Sequence, residues 1–503
     1  MMYGEEKSDS LIVAANLANN PQGAESVERR SGAKGNAEQP HMRRTQSRES
    51  MSQRLSRVRE AAKQRKKERF TALFHLLTAE ALENAFLSLS RKAAAGVDGV
   101  RWKDYAENLK VNIADLHRRL HQGSYRAQPG RRHYIPKADG KQRPLGIASL
   151  EDKIVQYALV KILNAVYEND FMGFSYGFRP GRSQHNALDA LATGLVRTNV
   201  NWVLDADISQ FFDKVSHEWL IRFIEHRIGD QRVIRLIRKW LTAGTSEEGE
   251  WRASEEGEWR ASEEGTPQGA VISPLLANIY LHYVFDLWAH QWRRRHATGN
   301  VVMVRYADDI VIGFDKRIDA QCFRIAMQRR LKEFGLTVHP KKTRLMEFGR
   351  FAAENRASRG KGKPETFNFL GFTHISGKDR SGRFMLIRKT RRDRMTATLK
   401  AIKDGLRKRW HYSIPEQGKW LRRVVQGYLN YHSVPGNYPM MRKFRIYVTD
   451  LWRRALRRRS QQDDTTWTKA NRLAAVWLPK VRVLHPWPVE RFTARHPRQE
   501  PGA

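Results

Sequence analysis

Cysteine is almost missing from this sequence. Among its 503 residues the single cysteine is Cys322. A disulfide framework requires pairs of cysteines, and a zinc module with CxxC spacing requires several, so the composition excludes both within this chain. A reducing compartment is therefore expected.

Long apolar runs are missing as well. The longest apolar stretch, residues 270–285, is interrupted by a serine, a proline, an asparagine and a histidine, which a membrane span rarely tolerates. A short apolar patch at residues 11–15 follows acidic residues rather than a basic start, which argues against a signal peptide. The sequence therefore predicts no transmembrane helix, no export and no membrane partner.

Acidic residues are scarce relative to basic ones. Asp and Glu total 53 against 91 Lys and Arg, a formal net charge of +38. Such a surface attracts polyanions, and salt should weaken the attraction. A solvated basic face is the alternative interpretation, but an excess of this size favours nucleic acid. The 40% hydrophobic content still suffices for a sizeable core, and the length for two or three domains.

The pattern along the chain predicts mixed α and β structure. Residues 1–50 lack a periodic apolar pattern and are predicted to be disordered. Residues 51–69 are basic and free of glycine and proline, which favours a helix; this helix presents either a solvated face or an arm that grips RNA. Residues 134–147 have the pattern of a β-hairpin, and residues 202–207 that of a strand.

An exact repeat interrupts the chain. The octapeptide SEEGEWRA occupies residues 246–253 and recurs at residues 254–261. A solenoid needs more repeats of longer period, so we interpret the second copy as surplus residues in a surface hairpin. An insertion with an even number of residues preserves strand alternation, which favours its tolerance.

Two apolar strands deliver aspartates to their ends. Apolar residues flank Asp308 and Asp309 on both sides, and a second apolar run leads to Asp205 and Asp207. Adjacent carboxylates in an apolar setting repel each other unless a cation joins them. Three carboxylates from two strands can hold two Mg²⁺ ions, which prefer oxygen ligands and stabilise the reacting oxygens of phosphoryl transfer. Taken alone, however, an Asp-Asp pair is usually a solvated turn.

The order of several motifs decides between these interpretations. Asp207, Gly-Thr-Pro-Gln-Gly, Tyr-Ala-Asp-Asp and Lys-Lys-Thr follow one another in the order of polymerase palm motifs. From about residue 95 to residue 371 the chain resembles group II intron reverse transcriptase/maturases. The likeness is carried by YIPKADGKQRPLGI (134–147), FSYGFRPGRS (174–183), ADISQFFD (206–213), GTPQGAVISPLLAN (265–278), YADD (306–309), FNFLGF (367–372) and, further on, GYLNY (427–431).

The resemblance implies an α+β fold of the right-hand polymerase type. It places a basic helical extension and the start of the fingers at residues 51–130, and fingers and palm at residues 131–375. A helical thumb, or maturase (X), domain is expected at residues 376–459, followed by a basic tail at residues 460–503 as a candidate DNA-binding segment. The tail is too short and too poor in cysteine for the endonuclease module of the family, so second-strand cleavage is not expected.

The resemblance also implies roles for individual residues. Asp207, Asp308 and Asp309 are expected to be catalytic and to bind two Mg²⁺ ions, with Asp205 and Asp213 as helpers or surface acids. Phe212 lies five residues after the first acid, where a ring would exclude a ribose 2′-hydroxyl; core packing is the alternative. The nucleotide-binding residues implied are Lys137, Arg143, Phe212, Gln268 and Lys342, with Lys341 as an alternative to Lys342. The RNA-binding residues expected are Arg179, Arg182, Arg422, Arg423, Arg453 and Arg454.

The implied function is an RNA-dependent DNA polymerase that copies intron RNA into DNA and assists splicing. Its expected partners are intron RNA, as template and splicing substrate, primer or target DNA, and deoxynucleotides, in a bacterial cytoplasm. One alternative is a non-catalytic RNA-binding splicing factor, against which the intact aspartates argue. Another is a domesticated or retron-type polymerase, whose usual Val-Thr-Gly motif is not found in this sequence.

Overall fold

The fold is taken from a computed structural model, which describes residues 50–136, 142–246, 264–266, 269–459 and 465–495. Several predicted features lie outside the described residues: the segment before residue 50, nearly all of the SEEGEWRA repeat, Lys137 and Gln268. The side chain of Arg143 lies outside them too.

Helices and short strands alternate along the described chain, which confirms the predicted mixture of α and β structure. The helices are α1 (Met51–Gln64), α2 (Ala79–Ser88), α3 (Trp102–Glu107), α4 (Leu109–Gln122), α5 (Leu150–Tyr167), α6 (Gln184–Arg197), α7 (His217–Glu225), α8 (Gln231–Thr242), α9 (Ser273–Leu281), α10 (Leu287–Arg295), α11 (Arg317–Glu333), α12 (Ala352–Ala357), α13 (Arg392–Arg407), α14 (Ile414–His432), α15 (Tyr438–Arg457), α16 (Trp467–Trp477) and α17 (Pro488–Arg495). The strands are β1 (Gly130–Pro136), β2 (Gln142–Ile147), β3 (Trp202–Asp207), β4 (Thr245–Ser246), β5 (Val301–Tyr306), β6 (Asp309–Phe314), β7 (Arg344–Glu347), β8 (Phe367–Phe369), β9 (Phe372–Lys378) and β10 (Phe384–Thr390).

The central sheet has the strand order β5-β6-β3-β7, and every neighbouring pair in it is antiparallel. Helix α6 packs against β5 and β6, and α11 packs against β3 and β6. Strand β5 is buried from Val301 to Arg305, as expected for a strand that is covered on both faces. A second sheet, β2-β1-β4, contains the predicted hairpin, and a third, β10-β9-β8, follows the central sheet in the chain.

Two hydrophobic cores divide the described chain. The larger core includes the central sheet and the helices around it, from Ala62 to Phe372, together with Val434 and Phe492 from later in the chain. The smaller core joins α13, α14, α15 and α16. Because α16 contributes Ala474 to the smaller core, the helical domain continues beyond the boundary predicted at residue 459. None of the helices in the described ranges has the length and apolar character needed to cross a bilayer.

Helix α1 is the basic helix predicted near the start of the chain. Ser50 and Gln53 cap its first turn reciprocally, an arrangement that satisfies backbone donors that the helix leaves free. Arg227 closes the other end, because its guanidinium donates to the carbonyl oxygens of Arg65 and Glu68. The helix therefore ends at Gln64, five residues earlier than predicted.

The smaller core should depend on Trp452. This side chain is 1% exposed, and its Nε1 donates to Gln417 Oε1 at 2.9 Å. We expect Trp452→Ala to lower the free energy of unfolding of the helical domain by about 3–5 kcal/mol. Trp467→Ala, at a position that is 44% exposed, should cost less than about 1 kcal/mol. Urea denaturation followed by far-ultraviolet circular dichroism would test this, and equal midpoints for both variants would contradict it.

Candidate active site

The register of the central sheet brings two of the predicted acids together. Asp207, the last residue of β3, lies directly opposite Asp309, the first residue of β6. Opposed residues of antiparallel strands have Cα atoms about 4.5–5.5 Å apart and side chains on the same face. Asp308 is adjacent, in the turn between β5 and β6, so the three acids lie at one end of the sheet.

Two acids at this end of the sheet have raised pKa values. The pKa of Asp309 is raised to about 7 by burial and by the carboxylates of Asp308, Asp207 and Asp205. The pKa of Asp205 is raised to about 6, first by burial and then by Asp207, against the opposing effect of Arg344. Negative charge is therefore in excess at this end of the sheet, as expected of a place that accepts a cation.

A lysine reaches these acids from the next segment of the chain. Both Lys341 and Lys342 are exposed, but Lys342 Nζ lies 2.9 Å from Asp207 Oδ2. The same segment is anchored on β3, because the backbone N–H of His339 donates to Asp207 O at 2.7 Å. Of the two lysines that the sequence left open, Lys342 is thus the one that contacts the acids.

The donor set fits a hard divalent cation through its carboxylate oxygens. Within the described ranges, no three His, Cys, Asp or Glu side chains form a group that could hold a metal ion by themselves. Mg²⁺ commonly takes only one or two carboxylates and completes its shell with water and substrate phosphates. The prediction that all three aspartates are ligands stays a prediction.

The turn that carries Asp308 is held from below by Arg305, a residue that sequence analysis missed. Arg305 is fully buried, and all five of its N–H groups are satisfied. Two of them donate to Asp286 at 2.7 and 2.5 Å, and a third donates to Ala307 O at 3.0 Å. The remaining two donate to Asn278 Oδ1 and Ser175 Oγ. This support matters because Ala307 has a φ of 55°, a left-handed conformation that costs energy in an alanine.

The partner of Arg305 occupies an unusual position in the backbone. Asp286 ends a π-helical turn, His282–Asp286, between α9 and α10. Such turns insert one residue into a helix and are frequent at functional sites. A charged residue inside the otherwise apolar run of β5 was the available signal for Arg305, but its partners lie far away in the sequence and could not be identified.

The FSYGF segment packs directly on the same turn. A Cβ atom on Gly177 would lie 2.3 Å from the backbone nitrogen of Ala307, so only glycine fits there. Asn278 Nδ2 donates to Gly177 O at 2.7 Å, which ties this segment to α9. Two motifs noted in the sequence therefore form the scaffold of the acidic turn.

Phe212 lies on the segment that follows Asp207. It belongs to a short 3₁₀ turn, Phe211–Asp213, in which Phe211 is buried and Phe212 is only partly buried. The backbone N–H of Thr266 donates to Phe212 O at 2.7 Å, so the Gly-Thr-Pro-Gln-Gly loop begins beside this ring. Gly269 follows with a φ of 113° and would bring a Cβ to 2.9 Å from Gly146 O on β2. The loop thereby joins Phe212 to the β1–β2 hairpin.

Comparison with known proteins agrees with this geometry. Residues 135–374 match the family model of reverse transcriptase (RNA-dependent DNA polymerase). We call these residues the reverse transcriptase domain, after the family that they resemble. Domains of this family generally use divalent metal ions, in keeping with the carboxylates on β3 and β6.

The chain also has relatives, among them two that are named for introns. Over 214 residues the chain is 41% identical to Protein YkfC of Escherichia coli (strain K12), covering 42% of this chain and 54% of that protein. Over 231 residues it is 36% identical to Group II intron-encoded protein LtrA of Lactococcus lactis subsp. cremoris, covering 45% and 37%. Over 91 residues it is 32% identical to Nuclear intron maturase 2, mitochondrial, of Arabidopsis thaliana, covering 18% and 12%. The chain spans about half the length of these relatives or less, and the predicted resemblance to group II intron-encoded proteins is confirmed.

Two arginines of the reverse transcriptase domain that were predicted to bind RNA make contacts within the fold. Arg179 is buried and forms an ion pair with Glu168 at 2.9 Å. Arg182 donates to Gly173 O and lies over the ring of Tyr176, and burial lowers its pKa to about 10. Arginines among aromatic residues suggested either a template contact or a structural loop role. Both guanidiniums make contacts within the fold, and their contact with RNA stays a prediction.

The four arginines predicted in the helical domain differ in availability. Arg422 is exposed but donates to the carbonyl oxygens of Val476 and Trp477 at the end of α16. Arg453 is mostly buried and pairs with Asp450 at 2.9 Å. Arg454 pairs with the same aspartate but is 68% exposed, and Arg423 is exposed. Only Arg423 and Arg454 thus remain good candidates for contact with RNA.

The Arg305–Asp286 pair should govern the stability of the reverse transcriptase domain. Replacing Arg305 by Met leaves a buried carboxylate without its countercharge, which should cost about 3–5 kcal/mol of unfolding free energy. The double variant Arg305→Met with Asp286→Leu should recover part of that loss, because no buried charge remains unpaired. Thermal and urea denaturation of both variants would measure the difference. A double variant no more stable than the single one would show that the charge pair is not the cause.

Proposed function

We propose that this protein is an RNA-dependent DNA polymerase of the group II intron type that also assists splicing of its intron RNA. The observation that supports this most strongly is the pairing of Asp207 with Asp309 beside the Asp308 turn, within a reverse transcriptase domain. The reaction extends a primer 3′-hydroxyl with a deoxynucleotide on an RNA template and releases pyrophosphate.

Each acidic residue has a role in this proposal. Asp207 and Asp308 would be the direct ligands of two Mg²⁺ ions, with Asp309 completing the set. When bound, the ions supply positive charge to the attacking and leaving oxygens of phosphoryl transfer. Lys342 already lies on Asp207, from where its ammonium group can donate to the departing pyrophosphate. The carboxylates would hold the ions, and this lysine would help to hold the triphosphate in place.

The architecture supports a right-hand polymerase. The β1–β2 hairpin would form part of the fingers, the central sheet the palm, and helices α13 to α16 the thumb. Lys137 and Arg143 belong to the hairpin segment, where we propose that they neutralise the triphosphate by charge-assisted hydrogen bonds. Gln268 would lie next to the nucleotide and template, since its loop connects Phe212 with β2.

The basic surface supports the second role. Arg423 on α14 and Arg454 on α15 are exposed, and the net charge of +38 favours a polyanionic partner. We propose intron RNA as that partner, bound both as template and as splicing substrate, together with primer or target DNA. A bacterial cytoplasm is the proposed location.

Primer extension on an RNA template tests the polymerase proposal. Asp308→Ala should reduce nucleotide addition by at least about 10³-fold, because several kcal/mol of charge stabilisation would be lost. Asp213→Asn is the matched control: Asp213 is an exposed acid, six residues after Asp207, and its change should leave the rate nearly unaltered. Clear synthesis by the Asp308 variant would contradict the proposal, and an equal loss in both variants would point to a general charge effect.

Choice of the sugar should depend on Phe212. Its ring is only partly buried, and the family resemblance implies that it would clash with a ribose 2′-hydroxyl. Phe212→Ala should therefore raise incorporation of ribonucleotides relative to deoxynucleotides by about tenfold, the equivalent of about 1.4 kcal/mol. Single-nucleotide addition with matched dNTP and rNTP measures the ratio. An unchanged ratio would support a packing role for the ring.

A further inference from the structure

The segment at residues 484–495, which we call the strap, contacts both the reverse transcriptase domain and the end of α14 in the helical domain. Its helix α17 packs against α6 of the reverse transcriptase domain, and Phe492 is buried in the larger core. Its first residues reach the other side: the backbone N–H of Leu484 donates to Ser433 O at 2.9 Å, just beyond α14. The sequence predicted only a basic tail at this place.

Arg491 is the center of the contact with α6. Its guanidinium holds both carboxylate oxygens of Asp189, with Nη2 2.9 Å from Oδ1. Asp189 is 2% exposed, so the pair is removed from solvent. Arg388 on β10 lies on the other side of the same carboxylate, 3.6 Å from Oδ1. One buried acid thus joins the strap, α6 and the third sheet.

His485 connects this pair to the helical domain. Its Nδ1 lies 2.7 Å from Arg491 Nη1, and its Nε2 lies 2.7 Å from Asn430 O on α14. Because arginine can only donate, Nδ1 must accept and Nε2 must carry the proton. The ring also stacks on His185 of α6, with centroids 4.0 Å apart. The chain of contacts therefore runs without a break from α6 through the strap to α14.

We propose that the strap fixes the helical domain against the reverse transcriptase domain, with Arg491 and Asp189 as positioning residues, and so keeps a template–primer duplex in place between successive nucleotide additions. This inference rests on the proposed polymerase function. A polymerase that adds many nucleotides per binding event must keep its grip while the duplex advances, and a loose helical domain would release the duplex early.

The arrangement of charges allows the strap to be released without unfolding the domain. If Arg491 is replaced by Ala, Asp189 still has Arg388 as a countercharge. If Asp189 is replaced by Asn, two buried guanidiniums lose their carboxylate, and the domain should become much less stable. Arg491→Ala is therefore the informative change, and Arg491→Lys, which keeps the charge but cannot bind in a bidentate manner, is the conservative one.

The experiment compares the full-length wild type with Arg491→Ala, Arg491→Lys and Arg482→Ala. Arg482 is an exposed arginine shortly before the strap and serves as the matched control. Product length per binding event is measured on a long RNA template with a trap for free enzyme, and the rate of the first addition is measured separately. Arg491→Ala should shorten the product severalfold and change the first-addition rate by less than about twofold. Arg491→Lys should lie between it and the wild type, and Arg482→Ala should match the wild type.

Hydrogen exchange of residues 484–495 and of α14 shows whether the strap has been released. Faster exchange in both segments of Arg491→Ala, together with shorter products, would support the proposal. The proposal would be overturned if Arg491→Ala released the strap and still gave products of wild-type length, or if it did not release the strap. Equal shortening of the product in Arg482→Ala would overturn it too. If the wild type extends no primer, the proposed polymerase function fails; the docking role is then judged by exchange alone, and unchanged exchange in α14 of Arg491→Ala overturns it too.

Discussion

The active site depends on the register between β3 and β6. Side chains alternate between the two faces of a strand, so a slip of one residue would turn Asp207 away from Asp309 and bury a carboxylate among apolar side chains. The apolar residues of both strands prevent that slip, since β3 packs against α11 and β6 packs against both α6 and α11. The hydrophobic core thereby fixes the position of the acids, although it contains none of them.

Holding the aspartates of β3 and β6 close together costs energy, and neighbouring residues offset part of that cost. Burial is the first cause of the raised pKa values of Asp309 and Asp205, and neighbouring carboxylates add to it. Lys342 lowers the pKa of Asp309 only in part. Arg305 does not contact these carboxylates; it holds the backbone of the turn through Ala307 O and is neutralised by Asp286. The positive charge that supports the turn is thus kept apart from the negative charge that is available for a cation.

Sequence could predict the parts of the site that rest on local pattern. Apolar flanks and motif order were sufficient to bring Asp207 and Asp308 to one place, because strands of alternating or continuous apolar character have few ways to pair. Arg305 was missed because its partners are brought near only by the tertiary fold. The ion pair of Arg179 could not be predicted for the same reason, since composition does not show whether a guanidinium contacts phosphate or, as here, Glu168. Arg491 lies in a segment that the sequence predicted only as a basic tail and a candidate DNA-binding segment.

The two buried ion-pair sites differ in the number of arginines that contact the aspartate: one at Asp286 and two at Asp189. This difference decides whether an arginine can leave its aspartate. Arg305 and Asp286 balance one to one, so neither can leave without exposing the other, and the turn above them is permanent. Where the strap meets α6, Asp189 is shared by Arg491 and Arg388. Arg491 can therefore withdraw while Asp189 remains paired with Arg388. Both properties, the rigid support of the Asp308 turn and the releasable contact of the strap, follow from the rule that a buried charge needs a countercharge.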